Sequence, residues 1–403
     1  MRILYLCHRF PFPPARGGKI RPFNMIRHLS RKHEVVVASL ARSPEEAAAG
    51  QGIAPHCADY VMGEVRAPAA WARMIARLPT PYPSSMGYFY SPALARSIQE
   101  RLRREAFDLI FVHCSSVAPY VRQVTGIPKI LDFGDIDSEK WLVYRQFKPF
   151  PLSLGYWLEG RKLAAAEKAL THQFDFCTCT TRAELEALRR LQVTTPCDWF
   201  PNGVDQSYFA PSTKSYDPDA ISFVGRMDYF PNQQAMLFFC DEVFPAIRRQ
   251  RPSATLTIIG AEPSAGIRRL GEREGVTVTG TVPDVREPVR RSAVNVAPLA
   301  IARGTQNKIL ECMAMGVPVV TSPEAAGGVD AVPEEHLLVA QSPQDYADKL
   351  LWLMEDAAAR QAFAVAGRAR VESHHSWAVS LAKLDSIIGA CLERHSAGKR
   401  CSA

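Results

Sequence analysis

The chain has 403 residues, 47% hydrophobic, 22% charged and 9% aromatic, a balance that excludes disorder, collagen-like repeats and coiled coil. That length predicts two domains, each large enough to bury a core of its own. Lys and Arg number 48 against 41 Asp and Glu, and the net +7 fits an anionic ligand or an anionic membrane surface.

Nucleic acid is not an expected partner, because basic residues fall in short scattered groups such as Arg268/Arg269 and Arg290/Arg291 without a recognition motif. The ten cysteines form no CxxC, and Cys7, Cys114, Cys240 and Cys312 sit inside apolar runs. Buried, reduced thiols of a cytoplasmic protein are therefore expected rather than zinc sites or disulfides. The apolar stretch after Met1 is too short for a signal peptide, and no run reaches the roughly 18 residues of a membrane span. A soluble or peripheral protein is expected.

Taken in chain order, Ile3–Cys7, Val35–Ser39, Leu109–His113, Lys129–Asp132 and Phe176–Thr180 read as strands. Helical patterns at Lys19–Ser30, Tyr156–Thr171 and Arg182–Leu191 alternate with them. The alternation resumes with Ile221–Gly225, Thr255–Gly260, Val276–Thr279, Ala293–Ala297 and Val317–Thr321. Such a sequence predicts two parallel sheets covered by helices, an α/β chain of two doubly wound domains facing a central cleft. Ala210–Ala220, rich in Pro, Ser and Asp, reads as the linker. Near the end, Trp377, Leu381, Leu384, Ile387 and Ile388 form one stripe of a closing helix.

Ligands in doubly wound domains sit at the carboxyl ends of strands, which directs attention to four segments. In Pro11–Lys19, Gly17 and Gly18 precede a helix and let backbone amides approach a phosphate. No GxGxxG occurs in the chain, so a dehydrogenase is not expected. His113 ends one strand, and Asp135 follows the next; together they suit hydroxyl binding or general-base work, with Asp137 available as a helix cap. Gly225 ends a third strand, and Arg226 offers a fork for two phosphate oxygens. From Arg303 to Val320, Thr305 is placed to cap a helix that Gly316 ends. The amides of Gln306 and Asn307 would then hold an anion, Lys308 would lie in the first turn and Glu311 three residues on. A phosphate at Lys308 would put a ribose near Glu311; a solvent-facing Lys–Glu pair explains the same spacing equally well.

Together these segments resemble the retaining glycosyltransferases of family 4. The resemblance rests on the Pro/Gly-Gly loop at 13–18, Pro201-Asn-Gly-Val-Asp205, Phe223-Val-Gly-Arg226 and Leu310-Glu-Cys-Met-Ala-Met-Gly-Val-Pro-Val-Val320. It implies the GT-B architecture of two Rossmann-like domains, here an acceptor-side domain over 1–205 and a donor domain over 206–375. The helix at 376–392 would return to the first domain. The stretch Asp137-Ser-Glu-Lys-Trp141 and Met227-Asp-Tyr-Phe-Pro-Asn232 look like sugar transferases of bacterial exopolysaccharide and exosortase systems.

By that resemblance Arg226 and Lys308 bind the donor diphosphate, Glu311 the ribose, and Gly17, Gly18, Asn202, Gly225, Gly304 and Thr305 complete the donor site. His113 and Asp135 lie on the acceptor side, and Arg226, Lys308 and His113 carry the catalytic roles. The implied substrates are a nucleotide sugar and a lipid-linked or polysaccharide acceptor, with no cofactor and no metal. The family's Glu-x7-Glu is incomplete, since Arg303 stands where its first Glu belongs. The Lys that often follows the Gly-Arg pair is also absent; Asn232 and Gln233 occupy its region, and Lys308 would supply the charge. A nucleotide-sugar epimerase of the same architecture and a non-catalytic nucleotide-sugar binder are the alternatives. The mixed aromatic and basic stretch Trp141–Leu163 suits an anionic interface at the inner face of the plasma membrane, or packing as an ordinary inter-helix segment.

Overall fold

A computed structural model describes residues 1–14 and 17–402, with side chains up to Ala397. Ala15 and Arg16, inside the expected Pro/Gly-Gly loop, lie outside the described residues. The chain forms two compact units, one of Met1–Phe200 with Leu381–Ala403 and one of Pro201–Ser380.

The first unit carries a seven-stranded parallel sheet. Its strands are β1 (Arg2–Cys7), β2 (Glu34–Ala41), β3 (Asp59–Glu64), β4 (Leu109–His113), β5 (Lys129–Asp132), β6 (Phe176–Cys179) and β7 (Cys197–Trp199). They lie in the order β3-β2-β1-β4-β5-β6-β7. Its central strands read as unbroken apolar runs because helices cover both faces, and Ile3, Leu4, Val36, Ile110 and Phe111 are fully buried. Four of its helices matter below: α1 (Gly17–Leu29), α2 (Ala67–Arg77), α3 (Asp137–Arg145) and α4 (Leu152–Thr171). Asp137 opens α3 as its first residue, and Ile136 holds the cap position, so Asp137 is not the cap its sequence position suggests.

The second unit repeats the plan with β8 (Asp217–Val224), β9 (Thr255–Ile259), β10 (Val276–Gly280), β11 (Ser292–Ala297), β12 (Val319–Thr321) and β13 (Leu338–Val339). Their order is β10-β9-β8-β11-β12-β13. Its helices α5 (Phe230–Phe238) and α6 (Asn307–Ala314) bear on the site, and α7 (Trp377–Ser402) closes the chain.

The division of the chain differs from the linker reading. Residues 201–205 belong to the second unit: Val204 bridges Ser376, and Asn202 accepts at its carbonyl from the ring of His375 at 3.3 Å. Ala210–Ala220 is not a free linker either, since β8 begins within it at Asp217, whose N–H donates to the Arg291 carbonyl at 2.8 Å. Polar composition concealed a strand whose first half is exposed. Leu381, Leu384, Ile387 and Ile388 of α7 are buried in the first unit, where Asp385 meets His28 at 2.9 Å and Lys383 meets Asp198 at 3.2 Å. The nine described cysteines other than Cys401 are free thiols, seven of them buried. Among the described residues no helix is long and apolar enough to cross a membrane.

Candidate active site

In both sheets the strand order reverses beside the first strand, between β1 and β4 and between β8 and β11. Crossovers run in opposite directions from such a point and leave a crevice at the strands' carboxyl ends. The candidate residues gather at these two places.

In the first unit, His113 ends β4 and is paired in register with Asp132 of β5, which is paired in turn with Thr178 of β6. Parallel register points these three side chains to one face. His113 Nδ1 lies 2.7 Å from Asp132 Oδ2, and Thr178 Oγ1 donates to Oδ1 at 2.8 Å. Arg21, from α1, closes the arrangement by donating through Nε and Nη2 at 2.9 and 3.0 Å. Its guanidinium also stacks 3.7 Å over Phe200.

Asp132 is fully buried, yet Arg21 and His113 outweigh that burial and hold its carboxyl well below the usual range. A permanent carboxylate can only accept, so His113 Nδ1 carries a proton and donates it. In the neutral ring Nε2 is then left with its lone pair. Gly134 sits against the ring, its built Cβ 3.5 Å from His113 Cε1, and the next residue, Asp135, accepts from Thr180 Oγ1 at 3.2 Å. His8, just past β1, lies 5.9 Å from His113 ring to ring, and burial drives its pKa well down, so it is neutral. Gly17 and Gly18 open α1 and are exposed, and a built Cβ on Gly18 comes 3.6 Å from Arg9 Cδ.

In the second unit, Gly225 and Arg226 follow β8. A Cβ at Gly225 would come 2.7 Å from Asn232 Nδ2 and 3.1 Å from Lys308 Nζ, so only glycine lets these groups converge. Asn232 in α5 joins both sides. Its Nδ2 donates to the Arg226 carbonyl at 2.8 Å, and its Oδ1 accepts from Lys308 Nζ at 2.5 Å. Lys308 Nζ also stands 4.7 Å over the buried Phe223 ring. Burial lowers the Lys308 pKa to about 8 and raises that of Glu311 to about 7. Among the described residues no hydrogen bond or ion pair reaches the Glu311 carboxylate. Lys308 and Glu311 are thus both half-buried, and among the described residues no ion pair joins them: Lys308 turns to Asn232 instead.

Arg226 is held by two carboxylates: bidentate to Asp228 at 3.0 and 2.8 Å, and to Glu262 at 2.6 Å. Side-chain bonding to Asp228 first, then to Glu262, raises its already high pKa.

Two expectations about α6 are corrected. The helix starts at Asn307, its cap position is Gln306, and Thr305 does not cap it; Thr305 Oγ1 is buried with no partner among the described residues. Gly304, at φ 65°, turns the chain there, and Gln306 Nε2 folds back onto the Arg303 and Gly304 carbonyls at 3.2 and 3.4 Å. The amide of Asn307 is also engaged, donating to the Thr305 carbonyl at 3.2 Å. The amides of Gln306 and Lys308 remain open among the described residues. Asn202 reaches this helix start by donating to Asn307 Oδ1 at 3.2 Å.

The model described as Glycosyltransferase Family 4 matches residues 16–208, and the model described as Glycosyl transferases group 1 matches residues 218–356. The chain belongs to the GT-B glycosyltransferases. A curated relative from Corynebacterium glutamicum, the GDP-mannose-dependent monoacylated alpha-(1-6)-phosphatidylinositol monomannoside mannosyltransferase, is 25% identical over 218 residues. The match covers 47% of this chain and 55% of the relative, about half of that protein. Sucrose-phosphate synthase from Thermosynechococcus elongatus superposes with a TM-score of 0.70 at 17% identity, covering 97% of this chain and 99% of its own. Anabaena HepE in complex with UDP and glucose also gives 0.70, at 14% identity, covering 97% and 100%. At these identities the structures speak for the fold, two parallel-sheet Rossmann-like domains.

Four side chains of this glycosyltransferase escape a reading of its sequence: Asp132, Arg21, Asp228 and Glu262. His8 could have been found, since it stands just past one strand and His113 ends another, and a doubly wound order makes those strands neighbours. Arg21 could not, because it reaches Asp132 from 111 residues away.

Proposed function

We propose that the chain is a retaining, nucleotide-sugar-dependent glycosyltransferase that extends a lipid-linked or polysaccharide acceptor in bacterial exopolysaccharide or cell-surface glycan synthesis. The observation that carries this reading is Lys308: half-buried, fixed on Asn232 beside Gly225, its pKa lowered to about 8 by burial. A cation held so at a helix start, next to Arg226, suits a diphosphate whose charge grows as it leaves. The amides of Gln306 and Lys308 add donors at the positive end of α6. These groups would do the work of a metal ion. Glu311, one turn on, suits two vicinal ribose hydroxyls.

Arg226 takes part by exchanging Asp228 or Glu262 for phosphate oxygens, a like-for-like swap of bidentate oxygen partners. The acceptor hydroxyl attacks on the face from which the diphosphate departs, and a phosphate oxygen takes its proton. His113, with Nε2 available and Asp132 behind it, serves the acceptor side together with Asp135. The complex of HepE with UDP and glucose supports a nucleotide-sugar donor, and the phosphatidylinositol mannoside on which the Corynebacterium enzyme acts supports a lipid-linked acceptor.

Purified protein is mixed with a panel of nucleotide sugars and acceptor glycolipids, with and without EDTA. Released nucleotide with an anomeric configuration kept in the product, undiminished by EDTA, is the expected result. Altered sugar without released nucleotide would mean an epimerase; binding without either, a non-catalytic protein. Turnover that EDTA abolishes contradicts the metal-independent reading.

A further inference from the structure

We propose that the first unit docks on an anionic lipid bilayer through a surface made by α2 with the loop after it and by the first half of α4. Trp71, Ile75 and Leu78 are spaced along one face of α2 and its end, and are 57%, 62% and 62% exposed. On the second segment Phe150 is 80% exposed, Leu154 46% and Leu158 45%. Side chains this apolar, clustered in two short stretches, form a patch rather than scattered single exposures.

The two stretches adjoin. Leu154, Leu158 and Lys162 follow one another at four-residue steps on α4, and Lys162 Nζ donates to the carbonyls of Arg77 and Leu78 at 3.2 and 2.8 Å. One turn back, Glu159 accepts from the Ser84 and Ser85 amides at 3.0 and 2.8 Å, a second tie between α4 and the chain after α2.

Charge selects the occupant. Residues 65–99 contain no Asp or Glu, and residues 140–163 contain only Glu159, which is buried on those amides. The same two stretches hold Arg73, Arg77 and Arg96, and Lys140, Arg145, Lys148, Arg161 and Lys162, while Arg66 at the edge of the first is paired with Glu64 at 3.8 Å. Arg73, Arg77 and Lys162 donate to backbone carbonyls, which fix them without neutralising them. An apolar patch set in an excess of positive charge matches a bilayer with anionic headgroups, where rings and aliphatic chains enter the interface and cations meet phosphates. Sequence spacing pointed only to the second stretch; the carbonyl contacts of Lys162 add the first.

The test is flotation with phosphatidylcholine vesicles, plain or doped with phosphatidylglycerol, in the absence of donor, so that it stands apart from sugar transfer. The wild-type chain should float with the doped vesicles and be released by salt. The pairs Ile75→Ser/Leu78→Ser and Leu154→Ser/Leu158→Ser should each weaken partition about tenfold or more. Arg145→Gln/Arg161→Gln should erase the preference for doped vesicles, and all variants should keep the wild-type Tm because the changed side chains are exposed. Flotation that ignores phosphatidylglycerol, or variants that float like wild type, would overturn the proposal. So would a wild-type dimer in solution that the serine pairs dissolve, since a second copy would then cover the patch.

Discussion

Asp132 gathers Arg21, His113 and Thr178 on one buried carboxylate. Arg21 and Asp132 are almost wholly buried, so removing either charge strands the other. Arg21→Met and Asp132→Asn should each cost about 3–5 kcal/mol in urea unfolding, whereas the double variant should cost clearly less than their sum. Additive losses would mean that the pair is not coupled. Lys308 and Glu311 make a second prediction. In the proposed function, diphosphate binding needs Lys308 charged and ribose binding needs Glu311 ionised. With Lys308 lowered to about 8 and Glu311 raised to about 7 by burial, kcat/KM should fall above pH 8 and below pH 7. Lys308→Arg should move the alkaline limb upward, because a guanidinium keeps its proton there. A profile flat from pH 6 to 9 would contradict both roles. The placement of His113 at a strand end, Asp135 just past one, Lys308 in the first turn of a helix and Glu311 three residues on was legible from the sequence pattern. The partners that tune them were not, since Asp132 needs three strands in register, and Asp228 and Glu262 converge on Arg226 only once β8 and β9 are paired.

At the scale of elements, α3 is anchored on α4 by Glu167, fully buried, which accepts from the Ser138 amide at 3.2 Å and the Ser138 hydroxyl at 2.5 Å. Burial, and then the charge of Asp137, push its carboxyl up to about 8 from an ordinary 4.5. Between those values the folded state holds a proton that the unfolded chain has lost, so stability falls as pH rises through that window. Scanning calorimetry should show Tm declining from pH 5 to 8, and Glu167→Gln should flatten the decline. An identical slope in wild type and variant would remove Glu167 as its cause. Element ends were the least legible part of the sequence. Thr305 and Asp137 look like caps by residue type, yet the chain enters α6 through the positive-φ turn at Gly304 and α3 through Ile136. Gly316, at φ 69°, ends α6 as its position suggests.

The doubling of the whole molecule, two parallel sheets in successive halves, was legible because both sets of strands are apolar runs separated by amphipathic helices. The polar run 210–220 misled, because composition cannot separate a linker from the exposed start of β8. Residues 201–205 and 376 met their bridge only in three dimensions. What the two sheets share is a reversal of strand order with ionisable groups at the strand ends, and we assign the reversal in the second unit to a leaving diphosphate. Steady-state kinetics of Lys308→Ala beside Glu311→Ala, in protein with unchanged Tm, decides whether that assignment stands. Lys308 meets growing negative charge, so its loss should lower kcat, by about 2–4 kcal/mol of barrier. Glu311 meets ribose, which changes little during reaction, so its loss should chiefly raise donor KM, by about 1–3 kcal/mol. Small and equal effects of both substitutions on kcat and KM would contradict the assignment and take α6 out of the active site.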